Sequence, residues 1–310
     1  MSEEADTSPC CAACGIAEGG DVKLKRCNAC YLVRYCGTEC QRQHRREHKK
    51  ECKKRAAELR DELLFKQPES SHLGDCPICC LPLPLDKGEW SPYLCCSKLI
   101  CHGCYHANME READEEVKFK CPFCRLPLPT SRETNSEEKL IQQHLKRVEA
   151  NDPYALQLSG STCYHEGDFD GAYKQWKKAA DLGDADAHFK LSIMYREGHG
   201  VEKDEKKEWY HLEEASILGH PDARRQLAVN EGRKDRFERA AKHFIIAANL
   251  GHDESIQTLK EFYRGGAISN EDFAAALRAH KAAVDATKSP QREMGKVWEA
   301  RAREQMSKQK

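Results

Sequence analysis

The chain is poor in what a membrane protein, a nucleic-acid coat or a small-molecule enzyme would need. No stretch approaches the roughly 18 consecutive apolar residues of a membrane span. Net charge is −1 across 310 residues, so no global field draws the chain to nucleic acid or lipid. Aromatics are only 7% of the residues and methionines number 5. The sequence shows no Gly-rich phosphate loop, no nucleophile elbow and no paired-carboxylate motif, so no catalytic side chain and no organic cofactor site is assigned. The start, MSEEADTSP, is acidic and polar, with no apolar run of the kind a signal peptide needs. A reducing compartment, cytosol or nucleus, is therefore expected, and in it cysteine clusters mean metal more often than disulfides.

Cysteine is what the chain has in excess, and only at one end. Of 18 cysteines, 17 precede residue 125. The first block runs Cys11-x2-Cys14, Cys27-x2-Cys30, Cys36-x3-Cys40 and His48-x3-Cys52. The second runs Cys76-x2-Cys79, Cys95-Cys96, Cys101-x2-Cys104 and Cys121-x2-Cys124. Ligands two or three residues apart let one short turn offer two thiolates to a tetrahedral ion. Disulfide pairing gives no reason for that spacing to recur. Each block reads as two zinc sites, about four ions per chain, leaving Cys10, Cys80 and Cys163 over.

Residues 11–52 are too few to hold a core folded alone. Structural zinc contributes about 10–16 kcal/mol in finger peptides at neutral pH. CNACYLVRYCGTECQ, from Cys27 to Gln41, and the closing His48-x3-Cys52 resemble a MYND finger at all eight ligand positions. The resemblance implies interleaved ligands. Cys11, Cys14, Cys36 and Cys40 would hold one ion, and Cys27, Cys30, His48 and Cys52 the other. It also implies peptide binding, often of proline-containing motifs. Where that family usually has a tryptophan, five residues after the sixth ligand, this chain has Arg45. His44 is expected on the helix surface. The basic run from His44 to Arg55 is read as the solvated face of a helix. Nuclear import or nucleic-acid binding is the weaker reading.

Residues 76–126 resemble an all-cysteine RING finger through CPICC, CCSKLICHGC and CPFCR. That resemblance implies a cross-brace, with Cys76, Cys79, Cys101 and Cys104 on one ion. Cys95, Cys96, Cys121 and Cys124 would hold the other. The usual histidine position falls on Lys98, an ammonium that cannot ligate. Adjacent ligands Cys95 and Cys96 demand a bent backbone. The alternative is one of that pair with His102 or His106 swung in. The resemblance further implies contacts to a ubiquitin-conjugating enzyme at Ile78, Pro122 and Arg125. The resemblance also implies an aromatic or large apolar residue near Asn108, a place that Met109 can fill.

Between the blocks, residues 53–75 read as a helical extension broken by Pro68 and Gly74. After residue 135 a repeat replaces the cysteines. WKKAADLGDADA, LEEASILGHPDA and FIIAANLGHDES share Gly183, Gly219 and Gly251, spaced 36 and 32 apart. Such a period means a solenoid. Sequence from Leu191 to His220 resembles Sel1-like, tetratricopeptide-related repeats. Four helix pairs are expected, at 151–183, 184–219, 220–251 and 252–288. A capping helix over 136–150 would turn Leu140, Ile141, Leu145 and Val148 inward, and 290–310 would be a charged tail. Trp176 and Trp209 are expected in the core of their helices.

The expected fold is thus two small zinc-stabilised modules, MYND-like then RING-like, followed by an all-α solenoid over 151–289. The expected function is a zinc-dependent protein-interaction protein acting as a RING-type ubiquitin ligase, with repeats and MYND finger binding the substrate. The alternative is a non-enzymatic scaffold with structural zinc.

Overall fold

The computed structural model describes residues 9–114, 120–128 and 136–308. The chain divides into two compact units, Met1–Lys66 and Gln67–Lys310. Each is described by itself.

In the first unit a two-residue antiparallel ladder joins β1 (Lys25–Arg26) to β2 (Arg34–Tyr35), and α1 (Thr38–Leu64) follows. Its core is Cys11, Leu24, Cys27, Cys30 and Tyr35, with Val22 and Val33 against them. So few apolar side chains cannot offset the entropy of ordering the chain, which is why metal ligands dominate the core. Helix α1 is 27 residues long and rich in Lys, Arg, Glu and Gln, all strong helix formers. Arg42 bonds Glu39 at 2.9 Å, and Arg55 bridges Glu58 and Glu62 at 3.2 and 2.8 Å. The helix ends at Phe65, short of Pro68.

The second unit opens with a hairpin of β3 (Trp90–Tyr93) and β4 (Lys98–Cys101), leading into α2 (His102–Asp114). Its core mixes Leu83, Tyr93 and Ile100 with Cys76, Cys101, Cys104 and Cys121. Then α3 (Ser136–Glu149) precedes four helix pairs. These are α4 (Pro153–His165) with α5 (Phe169–Asp181), α6 (Ala185–Glu197) with α7 (Glu205–Ile217), α8 (Pro221–Gly232) with α9 (Phe237–Asn249), and α10 (Asp253–Arg264) with α11 (Asn270–Ala286). Each helix packs on its sequence neighbours, the signature of a solenoid. Asp152, Asp168, Asp184 and Asp204 cap four helix N-termini through their carboxylates. His220 and His252 do the same through Nδ1.

The first solenoid core holds Leu156, Trp176, Leu191 and Met194; the second holds Phe244, Ile256 and Leu259. Trp176 is buried and donates from its indole N–H to the Gln157 carbonyl at 3.0 Å. A Cβ on Gly160 would lie 2.6 Å from that ring, so glycine there makes room for it.

Three expectations need correcting. Trp209 is not core: it lies half-buried, with Lys234 Nζ 4.5 Å from its ring centre and Arg236 at 5.5 Å. Helix α3 turns Val148 onto the core but leaves Ile141 and Leu145 about half exposed, because only α4 packs against it to any extent. Residues 290–308 are more than a charged tail. They form α12 (Pro290–Lys308), which packs on α2. No helix among the described residues is long and apolar enough to cross a membrane.

Candidate metal centres and the surfaces around them

The four ligand sets that the family resemblances implied come together as four clusters, each with its ligand atoms within 4.8 Å of one another. They are Cys11, Cys14, Cys36 and Cys40; Cys27, Cys30, His48 and Cys52; Cys76, Cys79, Cys101 and Cys104; and Cys95, Cys96, Cys121 and Cys124. In both units the pairs interleave, so each module is cross-braced.

The distances discriminate between the chemistries. A tetrahedral ion with Zn–S near 2.3 Å sets sulfurs about 3.8 Å apart, whereas a disulfide needs about 2.05 Å. Cys14–Cys36 and Cys27–Cys52 are both 3.7 Å, Cys36–Cys40 is 3.5 Å, and Cys79–Cys101 is 3.8 Å. Cys96–Cys121 is 3.6 Å and Cys95–Cys124 is 3.4 Å. His48 turns Nε2 to within 3.2 Å of Cys30 Sγ. These separations fit zinc and exclude disulfides; all 18 cysteines are free. Four bare thiols this close cannot all ionise. Bonding from Cys101 lowers Cys76 to about 4, while burial, against a lowering bond from Cys101 and with the charges of Cys76 and Cys79, pushes Cys104 to about 12. A divalent cation is what lets four thiolates share the space.

The backbone explains how short spacings achieve this. After Cys14, Cys30, Cys79 and Cys124 the next residue is left-handed: Gly15, Tyr31, Cys80 and Arg125, at φ 74°, 57°, 55° and 61°. Its N–H returns to the carbonyl of the first cysteine, as from Cys80 to Cys76 at 2.8 Å and Arg125 to Cys121 at 3.0 Å. Each CxxC is thus closed into a turn that aims both sulfurs inward. Cys80 is accounted for as the left-handed residue of its turn. Adjacent Cys95 and Cys96 are handled differently. Both sit in the β3–β4 turn, where Ser97 takes φ 56° and donates to the Tyr93 carbonyl at 2.7 Å. That bend brings both sulfurs to one cluster.

His102 and His106 belong to no cluster. His102 donates from Nδ1 to Glu299 at 2.9 Å and accepts at Nε2 from Ser91 at 3.0 Å. His106 stands edge-on to Trp298, centroids 4.5 Å apart. His44 bonds the Tyr35 hydroxyl at 3.1 Å and stacks on His48, supporting that ring. Cys10 is exposed and outside the clusters, and Cys163 packs half-buried on the first solenoid core.

Sequence spacing missed two features because both are long-range. The first is Arg292 on α12. It is 4% exposed and donates to Cys79 Sγ at 3.3 Å and to the carbonyls of Leu81, Pro82 and Thr287 at 2.6–2.9 Å. A zinc centre of four thiolates carries net charge −2, and this guanidinium offsets part of it. Around it α12 lies backbone-close on α2, since a Cβ on Gly295 would come 2.8 Å from the Gly103 nitrogen. Lys296 pairs with Glu89 at 3.0 Å.

The second is His72, Asp186 and His220, whose polar atoms also converge. The hydrogen bonds argue against a metal here. His220 Nδ1 accepts from the Ala223 N–H at 3.3 Å, so its proton sits on Nε2, 3.3 Å from Asp186. A metal at Nε2 would require that proton on Nδ1, facing the Ala223 N–H. The cluster is a latch. His72 stacks on His220 with centroids 4.3 Å apart and sets Nε2 3.4 Å from the other Asp186 oxygen. Burial alone would raise Asp186, but the bonds from His220 and His72 hold its carboxyl well below the usual range. One repeat later His252 and Asp222 form the same pair at 3.2 Å.

Of the remaining singled-out residues, Ile78 is 42% exposed, Pro122 is half-buried and Arg125 is exposed. The position in the last CxxC that corresponds to Ile78 is Phe123, and it packs on Tyr93 instead. Helix α12 covers the side of α2 that carries His102, Gly103 and His106.

Comparison with known proteins agrees at the N-terminal end. Residues 11–52 match the family model of the MYND finger. A 56-residue stretch, 18% of this chain, is 45% identical to the Helicobacter pylori (strain J99) protein named "Putative beta-lactamase HcpC". The match spans only 19% of that protein's length. Among solved structures the chain is similar to a Sel1 repeat protein from Oxalobacter formigenes, at 19% identity and TM-score 0.42, covering 64% of this chain and 85% of that one. It is also similar to c5321, a protective antigen of uropathogenic Escherichia coli strains displaying an SLR fold. There the values are 20% identity and TM-score 0.38, over 48% of this chain and 33% of that one. Fold and clusters together define a zinc-binding protein: cross-braced cysteine modules, the first of them matching the MYND finger, followed by a helical solenoid.

Proposed function

We propose that this protein is a RING-type ubiquitin ligase, in which Cys76–Cys124 orients a charged conjugating enzyme and the MYND finger and repeats hold the substrate. The sixteen clustered side chains are its zinc ligands. Such ligases carry no nucleophile. They accelerate transfer by fixing the thioester in position for attack.

The observation that carries this reading is Ile78. An isoleucine held in a rigid zinc turn, yet 42% exposed, presents apolar surface to solvent that a partner could cover. Exposed Arg125 stands at the corresponding rim of the second centre, on the left-handed residue of its turn. A guanidinium there offers a fork of donors to two proteins at once. The reducing setting that free thiolates require, cytosol or nucleus, is where this chemistry would operate.

The test is self-ubiquitination of the full chain against a panel of conjugating enzymes. Activity that falls at least about tenfold in Ile78→Ala and Arg125→Ala, with zinc content unchanged, supports the reading. A tenfold fall corresponds to about 1.4 kcal/mol of lost orientation. No activity across the panel, or equal activity in both variants, leaves a non-enzymatic scaffold.

A further inference from the structure

The groove in the MYND finger has a charge pattern that its fold does not require. It is about 470 Å3 in volume, and α1 forms one wall with Gln41, Arg42, Arg45, Lys49 and Lys53, while Tyr35 lines it too. No Asp or Glu lines it. Helix α1 does carry carboxylates, at Glu39, Glu47, Glu51, Glu58, Asp61 and Glu62, but none of these lines the groove. Arg42 is partnered by Glu39; Arg45, Lys49 and Lys53 have no carboxylate partner among the described residues. The Cys27, Cys30, His48 and Cys52 centre beneath carries net charge −1 with zinc bound, against four cations above it.

The spacing is as informative as the sign. Arg45, Lys49 and Lys53 follow at i, i+4 and i+8, so they share one helix face. Successive members rise about 6 Å along the axis. Alternate side chains of an extended strand fall on one face and repeat about every 6.6 Å. A strand lying along α1 would thus meet one cation at every second residue.

We propose that this groove binds an extended acidic peptide with carboxylates at alternate positions, read by Arg45, Lys49 and Lys53. The proposal rests on the reading of the MYND finger as a peptide-binding module, and it names the class of peptide. Aromatic stacking on a proline ring, for which a tryptophan would serve, gives way here to charge matching through Arg45. A nucleic acid is disfavoured as occupant. It would engage cations over a broad face, whereas these line a bounded groove and the whole chain has net charge −1.

The experiment is fluorescence anisotropy of the full zinc-loaded chain with three labelled peptides: Glu-Thr-Glu-Thr-Glu, its block permutation Glu-Glu-Glu-Thr-Thr, and Gln-Thr-Gln-Thr-Gln. A labelled single-stranded oligonucleotide is measured alongside. The alternating acidic peptide is expected to bind best, at least about threefold tighter than the block peptide, and to weaken as salt rises. Lys49→Glu and Arg45→Glu should each weaken it roughly five- to tenfold, as fits a charge reversal at a partly exposed site. Lys50→Glu, the same charge change on a residue outside the groove, should leave it within about twofold. Zinc per chain, counted by native mass spectrometry, separates lost binding from lost folding. Lys49→Gln gives a milder second variant.

Equal binding of the glutamine peptide would overturn the acidic class while leaving peptide binding intact. Equal loss in Lys49→Glu and Lys50→Glu would reduce the effect to general charge and overturn the groove. Tighter binding of the oligonucleotide, abolished by Lys49→Glu, would overturn the proposal for a nucleic-acid surface. Failure of all the peptides to bind would overturn both this proposal and the peptide-binding reading beneath it.

Discussion

At the scale of single residues, chemistry is set by what stands one or two positions from a sulfur. Cys80 and Arg125 follow the second cysteine of a CxxC and take the left-handed conformation that closes the turn. Cys95 and Cys96 sit in a hairpin turn instead, and both sulfurs join one cluster. Cys95→Ala is therefore expected to lower the zinc count by one ion in native mass spectra. Cys10→Ala and Cys80→Ala should leave it unchanged. An unchanged count in Cys95→Ala would remove that residue from the ligand set. Arg292 makes a second prediction at this scale. Removing a buried donor to a zinc thiolate should speed chelator-driven release of zinc from the Cys76, Cys79, Cys101 and Cys104 centre, by roughly 10–100-fold in affinity terms. Arg292→Lys should restore part of the loss, since an ammonium keeps the charge but not the fork that reaches Cys79, Leu81 and Pro82.

At the scale of elements, the repeats were legible and their docking was not. The glycines at 183, 219 and 251 mark the second helix end of the first three pairs, and all are left-handed at φ 85–88°. Gly219 has a second constraint. A Cβ there would lie 2.7 Å from the Ser70 carbonyl oxygen, where the segment leading to the zinc module crosses the solenoid. Beside it the His72 N–H donates to the Gly219 carbonyl at 3.1 Å. Gly219→Ala combines backbone strain with this clash, so a loss of about 1–3 kcal/mol is expected in thermal or denaturant unfolding. Gly183→Ala, with open space at its Cβ, should lose less. The interior of the solenoid also holds neutral histidines. Burial first, then the charge of His188, lowers His211 to about 4; burial first, then Arg224, lowers His243 to about 3. Both are depressed from the usual 6.5, so the unfolded chain binds more protons below that pH. Their stabilising effect is complete above about pH 6.5 and is lost as pH falls toward 4, at up to about 1.4 kcal/mol per pH unit for each histidine. Unfolding midpoints measured from pH 7.5 to 4.5 should fall, and His211→Gln should flatten the slope.

At the scale of the whole molecule, the second unit is closed by its own C-terminal helix. Deleting residues 290–310 removes Arg292, the Lys296–Glu89 pair and the Glu299–His102 bond at once. The expected result is faster hydrogen exchange in α2 and easier loss of two of four ions to a chelator, with the MYND finger unaffected. A tail without a structural role would leave exchange in α2 unaltered.

Spacing in the sequence was enough to pick out the ligand pairs, to separate two cysteine modules and to set the period of the solenoid; how the pairs interleave came from the family resemblances. These are local matters: CxxC turns close within five residues, and a helix pair repeats within about 36. Trp209 and the exposed Ile141 and Leu145 were misjudged because apolar periodicity says which face is greasy, not whether a neighbour arrives to cover it. Only the tertiary structure decided that Arg292 meets Cys79 across 213 positions, and that His72 stacks on His220. Neither contact leaves a trace in spacing, because each forms only after the chain has folded back on itself.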